Sequence, residues 1–483
     1  MKRVISKRKY SVVLLMLTMV FSAAAETITL EQYLNRVQEN HPFFIKEELK
    51  VDVEERDAET YRGGQEWIFS FSPSYSHLGG ISAAGMMTGA EAADQGSASA
   101  GASRLFWSTG GTLSLGVSSG YTNMRFAGLS DPAETYSQSL SLSYVQPLLR
   151  NRGGVLNRLG YEISLYNAER VKVEVEESRE TFLLEKARKY LDWALADEQI
   201  RIGEKRLELA QEQLRQVERR FASNLVDRVD VLRGEDAVRS AEQALLQMGS
   251  QWKAKQAELA VLAGDKSLYE ASPSFDLFTL PPPPDVDADA AFLARESRVL
   301  KPLKVMLLQL ASQRGGLEHE RLSDLNLRIA GDLKGSDDNF TDSLDIVNPD
   351  VTISLEYSVP SGHVTVDAGI EKIESQSIQI REEIRSIIVE LQAVQRGLYI
   401  QISDLEKILE LGRAQIESAR QTTAEELKLY NQGRGSLTFV IQSRDNEQNA
   451  RLAQAGNAAY YHNLMLQYRA LMDELAPSPG NSP

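Results

Sequence analysis

The residue types that carry out most protein chemistry are sparse here and show no functional spacing. Cysteine is absent, which excludes thiolate metal sites, a cysteine nucleophile and disulfide bonds. No glycine-rich phosphate loop opens a helix, and no nucleophile motif stands out. The five histidines are scattered and lie in no metal-ligand spacing: His41, His77, His319, His363 and His462. We therefore predict that the protein is not an enzyme, has no catalytic residue and uses no metal or cofactor.

The charge balance excludes a further class of function. The chain has 53 Lys and Arg residues against 68 Asp and Glu residues, a net charge of −15. Nucleic-acid binders need a basic surface that neutralises phosphates, and this composition does not offer one. We expect no nucleic-acid partner.

The start of the chain has the composition of an export signal. Basic residues within Lys2–Lys9 precede a short apolar run, Ser11–Phe21, and small residues at Ala23–Ala25. About eleven apolar residues are fewer than the roughly 20 that a membrane-spanning helix needs, so the pattern is typical of a cleaved secretory signal. We predict a signal peptide at 1–25.

Two long stretches without proline, 148–272 and 361–476, are rich in helix-forming residues. At an offset of 209 residues they align along an apolar stripe with alternating spacings of three and four, as in a coiled coil. The stripe consists of Ile200, Gly203, Leu207, Ala210, Leu214, Val217 and Phe221, which align with Leu409, Gly412, Ile416, Ala419, Thr423, Glu426 and Tyr430. The sequence therefore predicts two tandem structural repeats, with long helical hairpins at about 155–264 and 363–475.

The hairpins are predicted to turn where the backbone can adopt a left-handed conformation. Asn224 and Gly433 share one position of the repeat, and Asn and Gly are the residues that best tolerate this conformation. An extended coiled-coil spacer would have the same pattern, so the rods alone leave both a spacer and a tunnel wall open.

Four segments between the helical blocks alternate between apolar and polar residues with the period of a β-strand, at about 67–77, 136–146, 324–333 and 350–359. Strands of this length with one apolar and one polar face are typical of outer-membrane barrels. Four strands cannot close a barrel, which predicts that several copies combine. The polar connections Gly79–Gly101 and Lys334–Asn348 are predicted to be exposed loops.

A further hairpin is indicated at about 104–119, around Gly110-Gly111. It would either add strands to the wall or form a β extension outside the membrane, and we favour the wall.

Several of these motifs together resemble the TolC-like outer membrane efflux protein family. They are Ile28–Leu34 with Asn40-His41-Pro42 near the mature start, Gln146–Arg150 at a strand-to-helix junction, and Arg220–Leu225 followed by Asp230-Val231-Leu232 at a hairpin tip. The resemblance covers essentially the whole mature chain.

The resemblance implies a mainly α fold with membrane β-strands. Three copies would form a 12-strand or larger barrel, four strands per chain, joined to a long α-helical coiled-coil barrel. The first repeat would span 26–272 and begin with an opening helix. A proline-rich link at 273–287 would lead to the second repeat at 288–476, which begins with a helix at about 288–321, and 477–483 would be a disordered tail.

The resemblance also implies a location and partners. The homotrimer would lie in outer-membrane lipid with its helical domain in the periplasm. It would be the exit duct of a tripartite efflux or type I secretion system, with a periplasmic adaptor and an inner-membrane pump of the RND or ABC type. The alternative is a periplasmic coiled-coil adaptor or scaffold without a barrel, which explains the signal and the rods but not the twofold repeat or the strands.

Two groups of site residues follow from the resemblance. The residues expected to dock the adaptor and pump lie at the hairpin tips: Asn224, Leu225, Gly433, Arg434 and Gly435. The residues expected at a constriction of the tunnel mouth are Asp230, Phe439 and Gln442. Where the family often has carboxylates at the second tip, this chain has Phe439 and Gln442. We hypothesise that Phe439 from three chains forms an apolar constriction.

Overall fold

The computed structural model describes residues 27–79, 90–126 and 131–475. The predicted signal peptide at 1–25 and the predicted tail at 477–483 lie outside the described residues. The described chain is mostly helical and contains one large sheet. Its helices are α1 Leu30–Asn40, α2 Pro42–Arg62, α3 Val155–Ala222, α4 Arg228–Leu262, α5 Val286–Arg295, α6 Lys301–Glu320, α7 Phe340–Ser343, α8 Val364–Asn431 and α9 Leu437–Leu471.

The first helix starts at a capping box that the sequence encodes. The hydroxyl of Thr29 accepts a hydrogen bond from the backbone N–H of Gln32 at 3.3 Å. The side-chain oxygen of Gln32 accepts one from the backbone N–H of Thr29 at 3.0 Å. This reciprocal pair satisfies two donors that a helix start leaves free, which fixes where α1 begins.

The two helical hairpins have the same dimensions. α3 and α8 have 68 residues each, and α4 and α9 have 35 each. Both boundaries of α8 and of α9 lie 209 residues after those of α3 and α4. The offset of the stripe residues in the sequence is therefore also the offset of the helix ends.

The strands of the described chain are β1 Thr27–Ile28, β2 Ile68–Gly79, β3 Ala90–Leu105, β4 Thr112–Phe126, β5 Ala133–Pro147, β6 Ser272–Pro273, β7 Asp324–Asp337 and β8 Asn348–Ser358. The two short strands β1 and β6 pair in parallel. The other six form one antiparallel sheet in the order β2-β3-β4-β5-β7-β8.

The sheet corrects the strand count that the resemblance implied. The described sheet has six strands per chain rather than four. The difference is the hairpin of β3 and β4, which joins the sheet and is longer than the predicted 104–119. Residues 90–101 belong to β3, so the predicted loop across Gly79–Gly101 is wrong there. Its Ala, Ser and Gly residues have low β-propensity, but both neighbouring strands supply the pairing that holds the segment in the sheet.

The predicted single helix at 288–321 is also corrected. It is divided into α5 and α6, with a short 3-10 turn at Arg298–Leu300 between them. Pro302 lies in the first turn of α6, where its missing N–H is tolerated, but proline cannot continue a helix from before it.

The chain forms two compact units, and each takes segments from both predicted repeats. Among the described residues, the first unit comprises 27–41, 185–282 and 402–466. In its core the Tyr190 hydroxyl donates to the Ile28 carbonyl at 2.7 Å, and the Tyr461 hydroxyl donates to the Pro281 carbonyl at 2.8 Å. These bonds anchor the opening segment and the proline-rich link to helices of the same unit.

The second unit comprises the described residues within 42–184, 283–401 and 467–475, and it contains the large sheet. A buried ion pair joins Arg298 to Glu180 at 3.1 Å, and the Arg298 backbone N–H donates to Asp473 at 2.7 Å. Burial raises the pKa of Asp473. Within the described ranges, no helix is both long enough and apolar enough to cross a bilayer.

Candidate functional site

Strand pairing sorts the side chains of the large sheet onto two faces of opposite character. Residues paired across antiparallel strands share a face, and alternate residues along a strand change face. Phe69 pairs with Ala102, Ala102 with Leu115, and Leu115 with Leu142. Leu142 in turn pairs with Gly331, and Gly331 with Val351. The apolar residues of all six strands therefore lie together on what we call the apolar face.

The other face, here the serine face, is polar along the same rows. Ser70 pairs with Gly101, Gly101 with Gly116, and Gly116 with Ser141. Hydroxyl groups hydrogen-bond across the strands, as between Ser118 and Ser139 at 2.6 Å and between Ser74 and Ser97 at 2.7 Å. Small hydroxyl residues leave this face open to water.

The apolar face is exposed although it carries large side chains. Phe69 and Phe71 are 78% and 71% exposed, and Ile353 is 69% exposed. In a protein surrounded by water, a contiguous apolar area of this size would be covered by another surface. The exposed face therefore marks a surface that meets lipid or another chain.

Aromatic residues border the apolar face at both ends. Tyr75, Tyr121 and Tyr136 lie near the end that leads to residues 80–89 and 127–130, and the last two have ring centroids 5.0 Å apart. Trp67, Tyr144 and Tyr357 lie near the other end, where α2 leads into β2. Two aromatic belts around an apolar band are typical of a sheet that crosses a membrane.

The outer strands of the sheet lack a second partner within the described chain. β2 pairs with β3 alone and β8 with β7 alone, so each has one row of unpaired backbone groups. Long exposed edges of this kind recruit further strands.

The hairpin tips close with equivalent hydrogen bonds. The Leu225 N–H donates to the Arg220 carbonyl at 2.9 Å, and the Arg434 N–H donates to the Leu429 carbonyl at 3.0 Å. Asn224 has φ +56° and Gly433 has φ +75°, so both adopt the left-handed conformation that ends a helix.

The structure brings five of the predicted site residues to one cleft at the tips. The cleft has a volume of about 320 Å³, and its lining includes Asn224, Leu225, Asp230, Gly433 and Gly435. Asp230 forms an ion pair with Arg233 at 3.2 Å. The other predicted residues do not line this cleft.

Phe439 is 56% exposed, and Gln442 lines a separate groove of about 500 Å³ between α3, α4 and α9. Arg444 lines the same groove, donates to the Leu209 carbonyl at 2.6 Å, and has a pKa lowered by burial.

One tip contact was missed by the sequence analysis. The Arg220 guanidinium lies 4.5 Å from the ring centroid of Tyr430 and donates to the Tyr430 carbonyl at 2.9 Å. The contact joins the two hairpins, and Tyr430 also packs in a buried cluster with Val217 and Val440. Aligning one repeat with the other cannot find it, because the alignment pairs Tyr430 with Phe221 and says nothing about contacts between repeats.

Among the described residues, no group of three His, Asp or Glu side chains is arranged to hold a metal ion. The candidate site therefore consists of a two-faced sheet and a pair of helical tips.

Comparison with known proteins agrees with this architecture. Residues 92–265 match the family model for the outer membrane efflux protein. The chain carries an outer membrane efflux protein domain. The resemblance predicted from the sequence motifs is confirmed, and the matched segment includes most of β3, all of β4 and β5, and the first helical hairpin. No curated protein matches the sequence at a significant level.

The fold of most of the chain is similar to that of several solved structures. The outer membrane protein VceC from Vibrio cholerae is 12% identical with a TM-score of 0.65, over 92% of this chain and 96% of that one. The CmeC outer membrane channel of Campylobacter jejuni is 13% identical with a TM-score of 0.64, over 92% and 85%. The MtrE outer membrane channel of Neisseria gonorrhoeae is 13% identical with a TM-score of 0.63, over 92% and 89%. These likenesses show a shared fold.

Proposed function

We propose that this chain is one subunit of a trimeric outer-membrane channel. The observation that carries the proposal is the register of the six-stranded sheet, which collects the apolar residues on one face and the hydroxyl residues on the other. In a closed barrel the apolar face meets lipid and the serine face lines a water-filled lumen. The unpaired edges β2 and β8 join between subunits, so three chains form an 18-strand wall.

The helical hairpins extend this wall into the periplasm as a tunnel. Exposed apolar residues follow α8 at intervals of eleven, at Ile378, Val389, Ile400 and Leu411. Eleven residues make about three turns of an α-helix, so these side chains form one stripe along the helix. Such a stripe is suited to packing against the neighbouring subunit.

The proposed channel is a passive exit duct of a tripartite efflux or type I secretion system. A polar lumen conducts without an energy source, so energy and cargo selection come from an inner-membrane pump of the RND or ABC type. A periplasmic adaptor docks at the tip residues Asn224, Leu225, Gly433, Arg434 and Gly435. Asp230, Phe439 and Gln442 lie near the tunnel mouth, where Phe439 forms an apolar constriction. The exposed Phe69 and Phe71 count against the alternative of a water-soluble periplasmic scaffold.

The proposal is tested with two adjacent residues of β5 that lie on opposite faces. Leu140→Arg inserts a charge into the lipid-facing band at an expected cost of about 2 to 4 kcal/mol, and should greatly reduce the trimer in outer-membrane fractions. Ser141→Arg inserts the same charge into the lumen, and should allow assembly but lower the single-channel conductance in planar bilayers.

The readouts are membrane fractionation, an unboiled gel for the trimer, and conductance of the purified protein. Recovery of the wild-type chain as a monomer that needs no detergent would contradict the proposal. Equal assembly of the two variants would contradict the assignment of the faces.

A further inference from the structure

One arginine interrupts the apolar face at the end where α2 leads into β2. Arg104 is on β3, opposite Leu113 and two residues after Ala102, so its side chain belongs to the apolar face. Its guanidinium carbon lies 5.9 Å from the Trp67 ring centroid and 5.5 Å from the Phe106 ring centroid. Its Nε donates to the Gln65 carbonyl at 3.0 Å. Two rings and one hydrogen bond therefore hold the guanidinium in a fixed position.

Arg104 has no acidic partner in the part of the chain that the structure describes. None of the ion pairs within 4.0 Å between described residues includes Arg104. Because Nε is already bonded, the two terminal nitrogens are the donors left to bind an anion. A rigid guanidinium with free terminal nitrogens is well suited to a phosphate group.

Arg104 lines a cleft of about 690 Å³ between the end of α2 and the start of β2. Its lining includes the basic residues Arg62 and Arg104, the acidic residues Glu59 and Glu66, and Trp67. Glu59 is already paired with Arg56 at 2.7 Å. The cleft thus carries charges of both signs beside an aromatic side chain. Such a lining is suited to a zwitterionic group that is attached to a hydrocarbon chain.

On the apolar face, a row of alanines on β3 runs to Arg104 between larger side chains of β2 and β4, and we call this row the alanine trough. Ala98, Ala100 and Ala102 of β3 form its floor, and Phe69 and Phe71 of β2 border it on one side. Leu115 and Val117 of β4 border it on the other side. Methyl side chains between larger ones leave space for an extended acyl chain that ends at Arg104.

We propose that this cleft binds the headgroup of one zwitterionic phospholipid per subunit, with an acyl chain in the alanine trough. The phosphate is bound by the terminal nitrogens of Arg104, and the ammonium lies near Glu66. The inference rests on the proposed function, because the apolar face must be in lipid. In that setting Arg104 lies at the membrane boundary on the helical side, where headgroups of the periplasmic leaflet are found.

The test is native mass spectrometry of the detergent-solubilised trimer with added phosphatidylethanolamine. We expect the wild type to retain up to three lipids and Arg104→Gln to retain them about tenfold less, as expected for loss of charged hydrogen bonds. Arg125→Gln is the matched control, because Arg125 lies on the same face at the opposite end of the sheet and pairs with Asp94. It should retain lipid as the wild type does. Equal retention by Arg104→Gln would overturn the proposal.

Three further measurements test which part of the lipid the cleft recognises. Diacylglycerol, which lacks the phosphate, should not be retained, and retention equal to that of phosphatidylethanolamine would overturn headgroup recognition. Inorganic phosphate should not displace the lipid, and full displacement would mean that the cleft binds a free anion instead. Glu66→Gln should abolish any preference for phosphatidylethanolamine over phosphatidylglycerol, and an unchanged preference would overturn the role of Glu66.

The lipid site and the proposed channel can fail independently of each other. An Arg104→Gln trimer that conducts but has wild-type lipid retention refutes the lipid site alone. A wild-type chain that forms no membrane trimer refutes the proposed function. If Arg104→Gln does not assemble, the Glu66→Gln trimer still tests the site.

Discussion

The two helical hairpins have matching backbones but different contacts at their equivalent glycines. In the first hairpin, a Cβ added at Gly203 would lie 3.0 Å from the Met248 sulfur and 3.3 Å from a Leu245 methyl group. In the second, a Cβ at Gly412 would lie 2.0 Å from the side-chain oxygen of Gln454, the residue equivalent to Leu245. The Gln454 amide also donates to the Leu409 carbonyl at 3.1 Å. The two helices of each hairpin thus approach closely at the glycine, through an apolar contact in the first hairpin and a polar contact in the second.

The positions of the glycines and of the helix ends therefore specify the hairpin backbone, while the side chains between the helices can differ between the two repeats. A buried amide must keep its hydrogen bond, so the second hairpin has less freedom to rearrange than the first.

Alanine at the two glycines should separate the hairpins most clearly. Gly412→Ala forces Gln454 away from the Leu409 carbonyl, and we expect the free energy of unfolding to fall by about 1 to 3 kcal/mol. Gly203→Ala meets only flexible side-chain ends, and the better helix propensity of alanine, about 1 kcal/mol, should leave stability nearly unchanged. Denaturant unfolding followed by circular dichroism measures both.

The double variant Gly412→Ala with Gln454→Ala serves as the control for that clash. It should lose less stability than the sum of the two single variants, since the added methyl group then has space. Equal destabilisation by Gly203→Ala and Gly412→Ala would show that the two contacts do not differ in rigidity.

The hairpin tips differ at their equivalent left-handed residues, which are asparagine in the first hairpin and glycine in the second. Gly433→Ala adds a Cβ to a left-handed residue, at an expected cost of about 1 to 2 kcal/mol. Gly433→Asn should cost less, because asparagine already occupies the equivalent position at Asn224 with φ +56°. Thermal unfolding of the two variants tests this order, and an equal loss would mean that the cost is unrelated to backbone conformation.

The smallest predicted effect concerns pH. Burial lowers the pKa of His462 below its ordinary value of 6.5, and the imidazole lies near the Leu277 carbonyl and Asp276. The unfolded chain binds a proton as the pH falls through 6.5 while the folded chain does not, so stability is full above this value and decreases below it. Replacing the histidine by His462→Gln should reduce this acid destabilisation.

The matched control is Lys253→Gln, because Lys253 is the exposed equivalent of His462 in the first hairpin. Its unfolding midpoint should depend on pH as the wild type does. If His462→Gln keeps the full acid dependence, other groups are responsible for it.

The sequence predicted the elements in which apolar residues recur with a fixed period. The helical hairpins and the alternating strands have such periods, and the tips have residues that the left-handed conformation requires. The segment of β3 has no β-branched or aromatic residues, so only its two partner strands reveal it. Arg104 and the Arg220–Tyr430 contact depend on register and on packing between distant segments, which no local pattern encodes.

Disulfide cross-linking in the native membrane tests whether β2 of one subunit joins β8 of its neighbour. The chain has no cysteine, so engineered pairs can be read without background. Ser72→Cys is combined in turn with Thr352→Cys, Ser354→Cys and Glu356→Cys, all on the serine face. Oxidation should give a covalent trimer for at least one pair, and none for Ser72→Cys with Ile353→Cys on the opposite face. Monomers for every pair would contradict the shared barrel.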